Sequence, residues 1–109
     1  MKQEGKYKLT LLAEYDIDDI YDYTIDRWDE KQAEKYIHEL YNRFEWLSEY
    51  PKLGTVRDDL MRRVLTYPQG EHTILYRVTG EKIEIGRVFG PYMDIEKRFP
   101  VENPFIANK

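Results

Sequence analysis

Residues 72–89 constrain the fold more than any other part of the chain, and they read H-T-I-L-Y-R-V-T-G-E-K-I-E-I-G-R-V-F. Apolar and polar residues alternate on both sides of a short polar break, which is the pattern of two β-strands joined by a tight turn. Gly80 lies in that break and can supply the positive φ of a hairpin turn. Ile74 and Tyr76 share one face of the first strand, whereas Leu75 lies on the other. Because neither face is purely polar, we expect one face to cover a core and the other to make a contact.

Two helices are predicted before this hairpin. Residues 13–28 place an apolar seam at helical spacing, and residues 30–49 do so again. Asp29 is the expected N-cap of the second helix, with Gln32 three positions later in a capping-box arrangement. The first seam consists of Ala13, Ile17, Ile20, Thr24 and Trp28. Since the break between the helices is short, we expect an antiparallel helical hairpin.

The remaining segments complete an α+β domain. A strand is expected over residues 7–12, and alternation predicts another over 59–67, followed by a turn at 68–70. Residues 93–99 indicate a short turn or helix. We therefore expect one domain over residues 1–109 with its core at about 7–98. In it, an N-terminal strand and an antiparallel helical hairpin pack on a C-terminal antiparallel β-sheet, and residues 99–109 form a loosely held tail.

Composition excludes several classes of protein. The chain has no cysteine, which excludes disulfides and thiol chemistry and fits a cytoplasmic protein. The first residues, M-K-Q-E-G-K-Y-K, lack the apolar stretch of a signal peptide, and no apolar run predicts a membrane span. The first fifty residues hold seven Lys and Arg against thirteen Asp and Glu, within a net charge of −4. That acidity argues against a dedicated binder of duplex DNA, so no specific nucleic-acid binding is expected.

Few residues suggest catalysis. The single serine, Ser48, has no glycine elbow around it, and the two histidines lie in different elements. No zinc-ligand spacing is present, so neither a metal nor a cofactor is expected. His72 with nearby arginines and Tyr92 could form an acid–base set for RNA cleavage, although a histidine at a strand start is more often half-buried and structural.

Four arginines lie on the predicted sheet, and each allows two interpretations. As a group they could bind phosphate or carboxylate in a forked geometry. Individually, each could instead pair with an acid such as Glu84 or Asp94. The arginines are Arg62, Arg63, Arg77 and Arg87.

A series of short motifs resembles a known family. In chain order they are D-I-x-x-I-x-x-Y-x-x-x-x-W from Asp16, Q-A-x-x-Y from Gln32, P-x-L-G-x-x-R from Pro51, H-x-I-x-Y-R-V from His72, I-x-I-x-R-V-F from Ile83, and M-D at Met93. The series resembles the ParE branch of the RelE/ParE superfamily of bacterial type II toxins. No single motif is specific, but their order and spacing are.

The resemblance implies a toxin that inhibits DNA gyrase by binding and is neutralised by a cognate antitoxin, rather than an enzyme. Two alternatives stay open: a ribosome-dependent mRNA endoribonuclease of RelE type, and a non-toxic member that only binds antitoxin. The chain departs from the family pattern at Gly90, where a histidine is usual. That histidine supplies a catalytic group in some nuclease members, so its loss weakens the nuclease alternative.

Contact residues follow from the resemblance as expectations. The antitoxin is expected on the outer surface of the helical hairpin and the neighbouring sheet edge, at Tyr21, Tyr41, Arg77 and Arg87. The target is expected at Arg62, Arg63, Tyr92 and Arg98.

Overall fold

The computed structural model describes residues 6–101 and 103–107, so the remaining residues of the predicted domain lie outside the described part. The elements in order are β1 (Tyr7–Leu9), α1 (Leu11–Arg27), α2 (Glu30–Glu49), a 3-10 turn (Pro51–Leu53), β2 (Thr55–Val56), β3 (Leu65–Gln69), β4 (His72–Thr79), β5 (Lys82–Phe89), α3 (Ile95–Val101) and α4 (Pro104–Ala107). None of the described helices combines the length and apolar character needed to cross a bilayer.

The five strands form one sheet in the order β1-β5-β4-β3-β2. β2 to β5 pair antiparallel, as predicted, whereas β1 pairs with β5 in parallel. The predicted α+β architecture is confirmed, with the correction that the sheet is mixed. The predicted hairpin forms the centre of the sheet, because β4 and β5 are each flanked by another strand.

A β-bulge changes the phase of the central hairpin. Gly80 turns the chain with φ of 65°, as predicted. Leu75 then pairs with Arg87 while Tyr76 pairs with Ile85, so Gly86 is an extra residue on β5. The extra residue resets the alternation, and as a result Val88 rather than Arg87 joins Ile85 in the core beneath the helices.

The two helices begin at side-chain caps. Thr10 Oγ1 accepts a hydrogen bond from Ala13 N at 3.1 Å, and Asp29 Oδ1 accepts one from Gln32 N at 2.8 Å. The predicted second helix is confirmed at both ends. Its seam and that of α1 cover one sheet face. Members of this core include Tyr7, Leu40, Phe44, Leu47, Ile74, Tyr76, Ile83 and Ile85.

The seam prediction is wrong for Trp28. α1 ends at Arg27, and Trp28 is its C-cap with φ of −126° and ψ of −86°. Because the backbone leaves the helix there, the indole does not continue the apolar stripe and is 66% exposed.

The other sheet face is covered by the end of the chain. Phe99 and Phe105 are buried there with Val64, Leu75 and Phe89. The prediction of a loosely held tail is therefore wrong for these two phenylalanines. Docking of α4 depends on Gly86, because a Cβ at that position would lie 2.6 Å from Phe105 Cζ.

The prediction of a strand over residues 59–67 is wrong in its first half. Asp58 Oδ1 accepts a hydrogen bond from Arg63 N at 2.7 Å, and Arg63 has φ of 69°. This side-chain hydrogen bond closes a turn that competes with strand pairing. Consequently β3 begins only at Leu65 and extends over the first two residues of the predicted turn, to Gln69, whereas Gly70 is a turn residue as predicted. Arg62 and Arg63 lie off the sheet.

Candidate functional site

A buried ion pair joins α1 to β5. Arg87 donates from Nε to Asp16 Oδ2 at 2.8 Å and from Nη2 to Oδ1 at 2.9 Å, and Val88 N also donates to Oδ2 at 2.9 Å. The side chains are 4% and 7% exposed. The expected surface position of Arg87 is therefore wrong, since its guanidinium is inside the fold. The Asp16 carboxylate thus accepts the hydrogen bond of Val88 N on β5, at a position that lies beyond the end of β1.

Arg77 is partly covered. Its Nη2 lies 2.9 Å from Glu84 Oε1, directly across the hairpin, and its guanidinium lies 4.3 Å from the centroid of the Phe105 ring. The pairing with Glu84 is the structural alternative considered from the sequence. One third of the Arg77 side chain stays exposed, so an antitoxin contact there is compatible with the geometry.

A groove on the outer side of the helical hairpin brings Tyr21 and Tyr41 together. This hairpin groove measures about 390 Å³ and is lined by Tyr7, Tyr21, Glu34, Ile37, His38, Tyr41, Asn42 and Glu45. Burial raises the pKa of Tyr41, and the nearby Asp18 and Glu14 carboxylates raise it further. The groove is therefore aromatic and acidic, and it contains both tyrosines that are expected from the sequence to contact the antitoxin.

The four residues expected at the target interface do not lie in one place. Arg63 borders a depression with Val78 and Gly80 at one end of the central hairpin. Tyr92, 94% exposed, borders a cavity beside His72 and Gly90 at the other end. Arg62 is exposed in the turn before β3, and Arg98 is exposed on α3.

The cavity beside Gly90 was not anticipated as a cavity. It measures about 230 Å³, and its wall contains Ile20, Tyr23, Val88, Tyr92 and Met93. We call it the Gly90 cavity. A Cβ at Gly90 would have no neighbour closer than His72 Cδ2 at 4.0 Å, so the missing side chain helps to leave this space open. The only sequence signal was the departure from the family pattern at that position.

His72 has a structural partner rather than a catalytic one. Tyr36 Oη lies 2.6 Å from His72 Nδ1 and donates to the Gln69 carbonyl at 2.9 Å, which holds the β3–β4 turn against α2. Burial lowers the pKa of His72 and raises that of Tyr36 to about 12.

The charges around His72 do not suit a phosphate. The exposed acids Asp19 and Glu71 line the adjoining cavity together with Asp16, whose charge is paired with Arg87. Arg27 is the one cation among the described lining residues of the cavity and the groove. RNA cleavage needs cations at the phosphate, and this arrangement offers mainly carboxylates. In the described residues, no three His, Asp or Glu side chains converge in a way that could hold a metal ion.

Fold and surface together define a class. The protein is a small α+β domain in which a helical hairpin covers one face of a five-stranded sheet, and its grooves are lined by aromatic and acidic side chains. Aromatic side chains are enriched at protein–protein contacts, so these grooves are candidates for binding another protein.

Comparison with known proteins identifies the family. A family model described as "ParE toxin of type II toxin-antitoxin system, parDE" matches residues 7–93. The chain is 34% identical over 94 residues to Toxin ParE1 of Mycobacterium tuberculosis, covering 85% of this chain and 96% of that protein. It is 35% identical over 88 residues to Toxin ParE1 of Caulobacter vibrioides, covering 81% and 91%. The chain therefore belongs to the ParE toxin family of type II toxin–antitoxin systems.

A solved structure shares the fold. It is described as "Chromosomal ParDE TA system from P. aeruginosa" and superposes with a TM-score of 0.68 at 24% identity, covering 78% of this chain and 94% of that one. At that identity the match supports the architecture alone.

Proposed function

We propose that this protein is a toxin that inhibits DNA gyrase by binding, in the cytoplasm, and that a cognate antitoxin neutralises it. Family membership supports the toxin class. The observation that favours binding over RNA cleavage is the acidic surrounding of His72, whose Nδ1 is already engaged by Tyr36. A reaction that develops negative charge on phosphate would be disfavoured there.

The antitoxin is proposed to lie in the hairpin groove. Tyr21 and Tyr41 offer apolar rings with polar tips, which is the composition of interface hot spots. Arg77, whose side chain is one third exposed on β4, is a separate contact in this proposal, on the sheet face that carries Phe105 and away from the hairpin groove.

The gyrase activity can be tested directly. The chain is expressed from a tightly repressed promoter, and purified protein is added to gyrase with relaxed plasmid. We expect growth arrest and loss of supercoiling. A parallel translating extract reports mRNA cleavage. Normal supercoiling with cleaved mRNA would replace the proposal with the RelE-type activity, and normal growth with neither effect would leave only the antitoxin-binding role.

Neutralisation is tested with the protein encoded by the adjacent reading frame. Co-expression should restore growth. The single variants Tyr21→Ala and Tyr41→Ala should each bind the antitoxin more weakly than the wild type in titration calorimetry. Tyr15→Ala is the matched control, because Tyr15 is an exposed tyrosine of α1 that does not line the groove. Equal affinities for all three variants would exclude the hairpin groove as the antitoxin site.

A further inference from the structure

The Gly90 cavity lies on the flank of α1 opposite to the one that Tyr21 occupies. Ile20 and Val88 form part of its wall at the edge of the core, and Tyr23 and Met93 rise at its sides. Met93, which lines the cavity, is held by its own turn, because its N donates to the Gly90 carbonyl at 3.3 Å and its Sδ accepts from Gly90 N at 3.4 Å. The space is thus shaped by backbone hydrogen bonds and not only by mobile side chains.

Large apolar side chains surround this cavity without covering it. Tyr23 is 52% exposed and Tyr92 is 94% exposed, while Trp28 lines the adjoining groove, which shares Tyr23, Glu71 and His72 with the cavity. Aromatic rings exposed around a preformed apolar cavity are the usual setting of an interface hot spot. A dry cavity of about 150 Å³ can hold a benzene ring, so about 230 Å³ accommodates one aromatic or large aliphatic side chain.

The charge at the rim indicates what accompanies that side chain. Asp19 and Glu71 are exposed at the cavity, and no lysine or arginine is among its described lining residues. The nearest cation of the adjoining groove, Arg27, donates to Tyr23 Oη at 2.6 Å. A partner protein that inserts an apolar side chain therefore binds more favourably if it carries a positive charge next to that side chain.

We propose that the Gly90 cavity receives one large apolar side chain of gyrase, flanked on the gyrase chain by Arg or Lys that meets Asp19 and Glu71. The inference rests on the gyrase activity proposed above. Gyrase rather than antitoxin is assigned because the antitoxin is proposed above to bind on the other flank of α1, at Tyr21 and Tyr41. Gly90 is then a specificity-determining position, since its missing side chain keeps the receiving space open.

Filling the cavity is the first test. Gly90→Leu places an aliphatic group where the gyrase side chain would enter, and no neighbour within 4.0 Å opposes its Cβ. We expect the concentration for half-inhibition of supercoiling to rise about 30-fold. This factor corresponds to the loss of a hot spot of about 2 kcal/mol, because about 1.4 kcal/mol changes an affinity tenfold. Thr55→Leu is the control, because it adds the same side chain at an exposed position of β2, the edge strand of the sheet, and should leave inhibition unchanged.

Two further variants keep the test independent of folding. Tyr92→Ala removes a side chain that is 94% exposed and should weaken inhibition without changing the urea midpoint. Asp19→Lys should weaken inhibition several-fold and more strongly at low salt, whereas Glu81→Lys in the β4–β5 turn should not.

The outcomes separate this inference from the proposed function. If the unmodified protein does not inhibit gyrase, the proposed function fails. If it inhibits and folded Gly90→Leu inhibits equally well, the cavity inference is overturned. It is also overturned if Gly90→Leu or Tyr92→Ala loses affinity for the antitoxin while inhibition persists, because the antitoxin would then be the occupant.

Discussion

Replacing Asp16 by asparagine should destabilise this protein more than any other change of one side-chain atom that we can identify in the described residues. The carboxylate accepts two hydrogen bonds from Arg87 and one from Val88 N, all at 2.8–2.9 Å. An amide of the same shape keeps one acceptor oxygen but presents NH₂ to a guanidinium or a backbone N–H, both of which are donors. Arg87, 4% exposed, then stays charged after losing the Asp16 carboxylate that faces it.

Breaking a buried pair by removing one charge costs about 3–5 kcal/mol. A domain of this size has about 5–15 kcal/mol of stability in total, so the loss is a substantial part of it. With a urea slope of about 1.5 kcal/mol per molar, the unfolding midpoint should fall by about 2–3 M. Circular dichroism and tryptophan fluorescence would both report the transition.

A double variant refines the prediction. Asp16→Leu with Arg87→Met removes both charges, and buried pairs replaced in this way are often neutral. Here Val88 N would lose its acceptor, so about 1–3 kcal/mol of the loss should remain. Asp59→Asn is the control, because the Asp59 side chain is 58% exposed and its ion pair with Arg57 is screened by solvent, so the urea midpoint should stay close to that of the wild type. A loss below about 1 kcal/mol for Asp16→Asn would refute the reasoning, since it would mean that the pair is effectively solvated.

Three further predictions concern other contacts. Gly86→Ala should cost about 1–3 kcal/mol and speed proteolysis of the C-terminal segment, because the new methyl meets Phe105 at 2.6 Å; Gly90→Ala, with open space, should do neither. Burial lowers the pKa of His72 below 6.5, so the unfolded chain binds more protons; urea midpoints should fall as pH drops through 6.5, and His72→Gln should lessen that slope. Tyr36→Phe removes the hydroxyl that bonds the Gln69 carbonyl and His72 Nδ1 and should cost about 1–3 kcal/mol in urea melts, and an unchanged midpoint would show that water replaces the hydroxyl.

The segments that could be predicted from the sequence are those whose structure is encoded locally. α2 is bounded by an N-cap at Asp29 and by Pro51, and both signals act within a few residues. The central hairpin is encoded by alternation and by Gly80. Such elements are stable in their predicted bounds because local preference and burial agree.

The predictions were wrong where a side-chain hydrogen bond competes with strand pairing, or where the contact joins residues far apart in the sequence. Alternation over residues 59–63 resembled a strand, yet the Asp58 side chain offers Arg63 N a nearer partner than any strand could. The absence of a side chain at Gly86 on β5 leaves room for the Phe105 ring of α4, and no sequence periodicity reveals such a pair.

The candidate site was predictable only in part. Tyr21 and Tyr41 lie off the two helix seams, so their shared groove follows from helical geometry once the hairpin is assumed. The partner of Arg87 did not follow, because the chain offers many acids and Asp16 is 71 positions away. The Gly90 cavity arises where three separate segments meet, and its volume depends on a side chain that is absent.

The parallel pairing of β1 with β5 has a consequence for how the protein comes into being. Tyr7 aligns with Ile83 and Leu9 with Ile85. Within the described sheet, the first strand of the chain therefore pairs with the last one. Contacts of such long sequence separation slow folding, because the intervening loop must close first. While the chain is being synthesised, the helical hairpin can form early, but its sheet cannot be completed until β5 has left the ribosome. The complete sheet of the toxin therefore exists only after β5 has been synthesised.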